Sequence, residues 1–203
     1  MPRGIFLVFE GIDASGKSTQ ARRTAQRYDA DFTFEPGDTP LGADLRSWLL
    51  DVQRPMSPAS EALLMLADRS HHVDHLIEPT LRRGRSVVCD RFYASTLAYQ
   101  GYGRGLDLQL LRTSTELAIG TCRPDLTLLI DVPAALANER RACDHRDRFE
   151  AADVDFHERV RQGYLTLASE ECSRWVVIDG SRDEEEVADA IDRHLIDLAW
   201  PHA

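Results

Sequence analysis

The sequence predicts an α/β fold in three layers, a mostly parallel five-stranded sheet flanked on both faces by helices. Three observations predict it. Short apolar runs at 5–9, 86–89, 126–132 and 175–178 read as strands buried on both faces, the pattern of a parallel sheet. Segments of helical length and pattern alternate with them. Right-handed crossovers then bring the carboxyl ends of the strands to one edge, where open α/β sheets bind ligands.

In chain order, Ile5-Phe6-Leu7-Val8-Phe9 is the first strand, and a helix is predicted over 17–28. Residues 31–34 form a short strand before the turn Glu35-Pro36-Gly37, followed by a helix over 42–50. The Pro/Ser cluster at 54–60 is a loop leading into a long helix over 60–82. Strand 86–89 precedes a helix over 106–120, and strand 126–132 precedes one over 134–143. Segment 144–155 is dense in charge and lacks apolar periodicity, as expected of a mobile surface loop. A helix over 155–169, the strand 175–178 and a helix over 184–200 complete the chain; the carboxylates of 183–186 suit the last helix's N-terminal dipole.

At 203 residues the chain fits a single domain, 1–203. With 43% hydrophobic and 29% charged residues it can fill a core, which excludes wholesale disorder. Lys and Arg number 24 against 34 Asp and Glu, a net charge of −10, the wrong sign for a protein that coats nucleic acid. Any anionic ligand must therefore meet a local basic site. The four cysteines, Cys89, Cys122, Cys143 and Cys172, form no C-x-x-C pair and indicate neither a zinc site nor a disulfide framework. No apolar stretch approaches the ~20 residues that span a bilayer, and the first apolar run is too short for a signal-peptide core. The expectation is a cytoplasmic protein with no membrane or nucleic-acid partner.

Gly11-Ile12-Asp13-Ala14-Ser15-Gly16-Lys17-Ser18 matches G-x-x-x-x-G-K-[ST] between a strand and a helix. At average residue usage the pattern arises by chance in roughly one 200-residue chain in a hundred, and the flanking elements make chance rarer. Glycines let the backbone wrap a phosphate, and successive N–H groups at the helix N-terminus supply positive potential. Lys17 can bridge terminal phosphates, and the Ser18 hydroxyl can ligate Mg²⁺. Lys17 is also the only lysine of the chain. An N-K-x-D guanine-reading element therefore cannot exist, which disfavours a GTPase switch.

Asp90-Arg91-Phe92 closes the strand 86–89 and puts a carboxylate and a guanidinium on the ligand edge. Asp90 can hold Mg²⁺ through water, and Arg91 can fork onto a phosphate. Downstream, Ser95-Thr96-Leu97-Ala98-Tyr99-Gln100 precedes a flexible glycine-rich turn over 101–105, and Gln100 can pair the amide-like edge of a base.

Four stretches together resemble the thymidylate kinase family of nucleoside monophosphate kinases over nearly the whole chain. They are Phe9 to Thr19, Glu35-Pro36-Gly37-Asp38-Thr39, Asp90 to Gly101, and Arg123 to Val132. The resemblance implies a P-loop NTPase-type sandwich with a mobile lid near 140–155, a homodimer packed through helices such as 60–82, and ATP- and Mg²⁺-dependent phosphorylation of dTMP to dTDP. It implies that Gly11 to Thr19 bind ATP, with Ser18 and Asp90 at the metal and Asp13 near the sugar 3′-hydroxyl. Arg91 would hold the acceptor phosphate and Arg69 a thymine carbonyl, while Ser95, Tyr99 and Gln100 line the base and sugar pocket. The Tyr99 ring would exclude a 2′-hydroxyl.

Met65 stands where the family usually stacks a phenylalanine on thymine, with Phe34 a candidate to replace part of that ring. A thioether still packs on a π face. It also leaves open a kinase for another pyrimidine nucleotide or a deoxynucleoside, and a non-catalytic nucleotide switch is the alternative from outside enzymes. The stretch from Arg140 to Glu150 resembles the family's basic lid. Arg141 and Arg146 are the candidates to touch ATP, and Arg148 to organise the lid through Asp147 or Glu150. His71 and His75, four apart on one helix, have no third ligand in the sequence.

Overall fold

A computed structural model describes residues 2–140, 147–150 and 152–197. Its sheet has five strands in the order β2-β3-β1-β4-β5, every neighbouring pair parallel: β1 (Phe6–Glu10), β2 (Asp31–Phe34), β3 (Val87–Asp90), β4 (Leu126–Asp131) and β5 (Trp175–Asp179). Strand alternation divides the core in two. Phe6, Val8, Val87, Cys89 and Leu129 face one helical layer, while Leu7, Phe9, Val88, Leu128 and Ile130 face the other. The second layer holds α1 (Lys17–Arg27) and α9 (Glu184–Asp197), packed through Ala21, Ala25, Val187 and Ile191. The three-layer expectation from sequence is met, and the sheet is parallel throughout.

The first layer holds α3 (Pro58–His72), a π-helical continuation over Val73–Ile77, and α4 (Glu78–Arg82). The 60–82 segment thus runs as one unbroken helical stretch with a widened turn. α5 (Tyr93–Thr96), α6 (Leu108–Ile119), α7 (Ala134–Arg140) and α8 (Val154–Glu170) complete that side, with α2 (Pro40–Leu50) crossing beside α3. Ser57, Asp107 and Asp153 cap α3, α6 and α8 with side-chain oxygens on backbone N–H groups. No described helix is long and apolar enough to cross a membrane.

Two expectations change. β5 is an edge strand, so Val176 and Val177 are not buried on both faces and Val177 is half exposed. The approach to the glycine-rich turn is not flexible loop but a buried π-helical stretch, Leu97–Gly103. Its glycines serve close packing. A Cβ at Gly103 would lie 2.6 Å from the Phe156 ring of α8, and one at Gly101 would lie 2.4 Å from Leu108 of α6.

Beneath α2 lies a buried charged layer. A Cβ at Gly42 of α2 would fall 2.4 Å from Asp68 Oδ1, so only glycine lets α2 settle onto α3 there. Asp68 is 1% exposed, and burial first, then the neighbouring Glu35 carboxylate, push its pKa up to about 6 against the pull of His72, Arg69 and the Gly37 N–H. A carboxyl whose folded pKa lies above its unfolded value stabilises fully below the unfolded value, and that contribution is lost as pH rises through the folded one. Asp68→Asn does not titrate. Its stability relative to wild type should therefore grow between about pH 4 and 6 and level off above, by roughly 1–3 kcal/mol. Urea unfolding across that range checks this, and a flat difference would contradict the burial of a charge at Asp68.

Candidate active site

The last residues of β1, β3, β4 and β5 are Glu10, Asp90, Asp131 and Asp179, and Glu35 follows β2, so the carboxyl edge of the sheet carries a row of acids. Basic side chains gather among them. Gly11 to Ser18 leave β1 as a tight loop with left-handed backbone at Ala14 (φ 64°) and Gly16 (φ 89°). At Gly11 a Cβ would stand 2.6 Å from the Ile130 carbonyl oxygen, so β4 and the loop can meet only at a glycine. Gly16 starts α1 with no side-chain cap and no acid in the first turn, which leaves that turn's N–H groups for an anion.

Lys17 is buried, with Nζ 4.0 Å from Asp13 Oδ1. Burial, then the Arg91 guanidinium, lower the pKa of its ammonium, and Asp90, Asp13 and Glu10 oppose the shift. Burial would raise the Asp13 carboxyl, but Arg91, Lys17 and the Tyr99 hydroxyl overcome it and hold it below the usual carboxylate range.

Arg91 follows β3 in left-handed backbone (φ 72°), which turns its side chain back over the loop. Nη2 donates to Asp13 Oδ1 at 2.5 Å and to the Tyr99 hydroxyl at 3.1 Å. Nη1 donates to the Gly11 carbonyl at 3.0 Å and to the Ser95 and Tyr164 hydroxyls at 3.2 Å each. Tyr99 donates in turn to Asp13 Oδ2 at 2.7 Å. Behind this group Glu10 accepts from the Phe92 and Ser95 N–H groups, Ser95 Oγ and the Tyr164 hydroxyl; its pKa is raised because burial outweighs those bonds.

Arg69, 1% exposed, donates Nε to Glu35 Oε2 (2.8 Å), Nη1 to Thr96 Oγ1 (2.8 Å) and Nη2 to the Phe92 carbonyl (3.0 Å). A guanidinium has five N–H groups, so two are left for a ligand. Glu35 Oε1 bonds His72 Nδ1, and His72 Nε2 bonds Thr33 Oγ1, which donates to Asp38.

These residues open onto one cavity of about 420 Å³, lined by Asp13, Ala14, Lys17 and Ser18 at one end and by Met65, Arg69, Tyr99 and Gln100 at the other. Asp90, Arg91 and Ser95 lie between, and Phe34 also lines the wall. Asp90 Oδ1, on the cavity wall, and Ser15 Oγ, within the loop, are buried with no hydrogen-bond partner among the described residues. An orphaned carboxylate oxygen of Asp90 in the same cavity as Ser18 fits a hydrated Mg²⁺, which takes one or two protein ligands and otherwise waters and phosphate oxygens. Among the described residues no cluster of three or more His, Cys, Asp or Glu could hold a metal by itself.

The structure therefore brings together Asp13, Lys17, Ser18, Met65, Arg69, Asp90, Arg91, Ser95, Tyr99 and Gln100. Arg141, Arg146 and Cys143 lie outside the described residues. Asp147 Oδ1 accepts the Phe149 and Glu150 N–H groups, and the Asp147 N–H donates to Glu150 Oε2. The Arg148 guanidinium donates to the Leu49, Asp51 and Arg54 carbonyls, and its N–H to the Leu50 carbonyl, tying this segment to the open C-terminal carbonyls of α2. His71 and His75 stack their rings 3.7 Å apart on an exposed turn.

Sequence reasoning missed Tyr164 and Phe149. The first lies on the apolar stripe of α8 with Phe156 and Val160, which marks core and not a hydroxyl reaching the site. The second came from a charged segment, yet it is buried edge-on to the Tyr99 ring.

A profile of the thymidylate kinase family matches residues 9–191. The thymidylate kinase of Desulfovibrio desulfuricans is 45% identical over 197 residues, which cover 90% of this chain and 91% of the relative. That of Geobacter sulfurreducens is 44% identical over 201 residues, covering 93% and 94%. The crystal structure of thymidylate kinase from Ehrlichia chaffeensis superposes with a TM-score of 0.77 at 34% identity, over 96% of this chain and 99% of that one. Fold, motifs and similarity over nearly the full length agree, and the chain belongs to the thymidylate kinase family.

Proposed function

We propose that the chain transfers the γ-phosphoryl group of ATP to dTMP, giving ADP and dTDP. The observation that carries this reading is the single cavity that joins the phosphate-cradling loop to a pocket ending at Arg69 and Gln100, with Arg91 between them. Phosphoryl transfer asks little covalent chemistry of a protein; it asks for in-line positioning and cations matched to the migrating charge. Lys17 and the uncapped N–H groups of α1 take the ATP phosphates, within the loop Gly11 to Thr19. Arg91 takes the acceptor phosphate, and Asp13, already held by Arg91 and Tyr99, orients the deoxyribose.

Tyr99 closes the space a 2′-hydroxyl would need, Arg69 donates to a thymine carbonyl, and Met65 packs on the base. Ser95 lines the acceptor pocket from its seat on Glu10. Ser18 and Asp90 hold Mg²⁺, which when bound neutralises charge on the β- and γ-phosphates. Arg141 and Arg146 are assigned to the donor phosphates from sequence alone. The reading treats 1–203 as a single kinase domain with 140–155 as its lid. It places the reaction in the cytoplasm, in keeping with the free thiols of Cys89, Cys122 and Cys172.

A coupled assay for ADP across dTMP, dUMP, UMP, CMP and thymidine tests the substrate. The expected result is turnover with dTMP well above the others, and Lys17→Met should reduce it at least tenfold with the fold intact. No ADP formed with any acceptor, or a Lys17→Met enzyme retaining more than a tenth of normal turnover, would overturn the reading.

Homodimerisation is supported by Leu63 on α3 and Leu110 and Leu117 on α6, large apolar side chains exposed on neighbouring helices. Light scattering should give twice the 22.9 kDa mass of the chain. Leu117→Glu should shift it towards one; a wild-type monomer at micromolar concentration would rule the dimer out.

A further inference from the structure

Gln100 sits buried in the π-helical stretch and lines the cavity. Its amide has a donor end and an acceptor end of nearly the same shape, so which end meets a ligand decides what is read. A neighbouring carboxylate makes that choice. Glu61, in the first turn of α3 and 2% exposed, accepts from Gln100 Nε2 at 3.0 Å and from Arg104 Nε and Nη2 at 3.3 Å each. An ionised carboxylate only accepts, so Gln100 can approach it only through its NH₂ group. A flipped amide would set two acceptor oxygens against each other. Arg104 is fixed in its turn, with its guanidinium 4.7 Å from the centre of the Phe156 ring and 6.0 Å from that of Phe149.

We infer that Glu61 is a positioning residue that sets which pyrimidine the pocket accepts: it turns Gln100 Oε1 to the ligand, where it accepts the N3–H of thymine or uracil and opposes the bare N3 of cytosine. The inference rests on the dTMP reading above. It assigns discrimination to a residue that lines no part of the cavity and lies outside every motif that marked the family. Glu61 reaches the base through Gln100 and touches no phosphate-binding residue, so its removal weakens base reading while the reacting phosphates keep their cations.

Glu61→Gln keeps the shape and lets both amides turn. Its KM for dTMP should rise about tenfold with kcat within about twofold of wild type, and the dTMP-to-dCMP ratio of kcat/KM should fall about tenfold. The KM for ATP should stay close to wild type. Gln100→Leu should lose the same discrimination, and adding Glu61→Gln to it should change the ratio by less than about twofold. Glu61→Asp withdraws the carboxylate by one methylene and serves if Glu61→Gln does not fold, with the same expectation.

A ratio unchanged in the Glu61 variants, or a second loss of equal size on top of Gln100→Leu, would overturn the inference and leave the dTMP reading standing. Wild-type enzyme with no preference for dTMP over dCMP would remove both, and that result is read before any variant is made.

Discussion

The site depends on the Arg91 guanidinium and the acceptors that hold it. In a chain with net charge −10, a cationic centre has to be assembled locally, and the strand ends supply the carboxylates that make it possible. Arg91 bonds the Gly11 carbonyl and Asp13 from the phosphate loop, Tyr99 from the π-helical stretch, Ser95 from α5 and Tyr164 from α8. The phosphate loop and α8, both more than 70 residues away in sequence, thus converge with the adjoining stretch from Ser95 to Tyr99 on one side chain. Its left-handed backbone sits where β3 gives way to α5, so the direction of the guanidinium is set by the turn as well as by its partners.

Three buried glutamates organise the walls of the cavity in the same way. Glu10 at the end of β1 seats Ser95 and Tyr164, Glu35 after β2 seats Arg69 and His72, and Glu61 at the start of α3 seats Gln100 and Arg104. Each carboxylate is satisfied by several donors, which offsets its desolvation and fixes the orientation of a side chain that lines the cavity. The polar wall is therefore preformed, and a nucleotide entering it does not have to order these groups. The phosphate end follows another rule, with backbone N–H groups and one ammonium in place of a side-chain network.

Local pattern made much of this legible from sequence. Gly11, Gly16, Lys17 and Ser18 fall within one short loop, and the turn itself requires the two glycines, Gly11 by its approach to the Ile130 carbonyl and Gly16 by its left-handed backbone. Asp90 and Arg91 could be placed because a parallel sheet brings its strand ends to one edge. Other features depend on distances that no spacing encodes. Tyr164 reaches Arg91 from an apolar helix face across 73 residues, Arg148 binds carbonyls almost 100 residues upstream, and Glu61 looks like an ordinary acid near a helix start. The glycines at 101 and 103 pointed the wrong way, because the residue that suits a flexible turn also suits two helices packed at close quarters.

The most direct measurement is the acceptor dependence of Arg91→Met, read as dTDP formed by phosphorus NMR under saturating ATP. If Arg91 grips the phosphate of the incoming nucleotide, KM for dTMP rises at least tenfold and turnover falls, while the affinity for ATP stays within about twofold of wild type. An Arg91→Met enzyme with wild-type dependence on dTMP, or one that loses only ATP, would contradict a site built around that guanidinium.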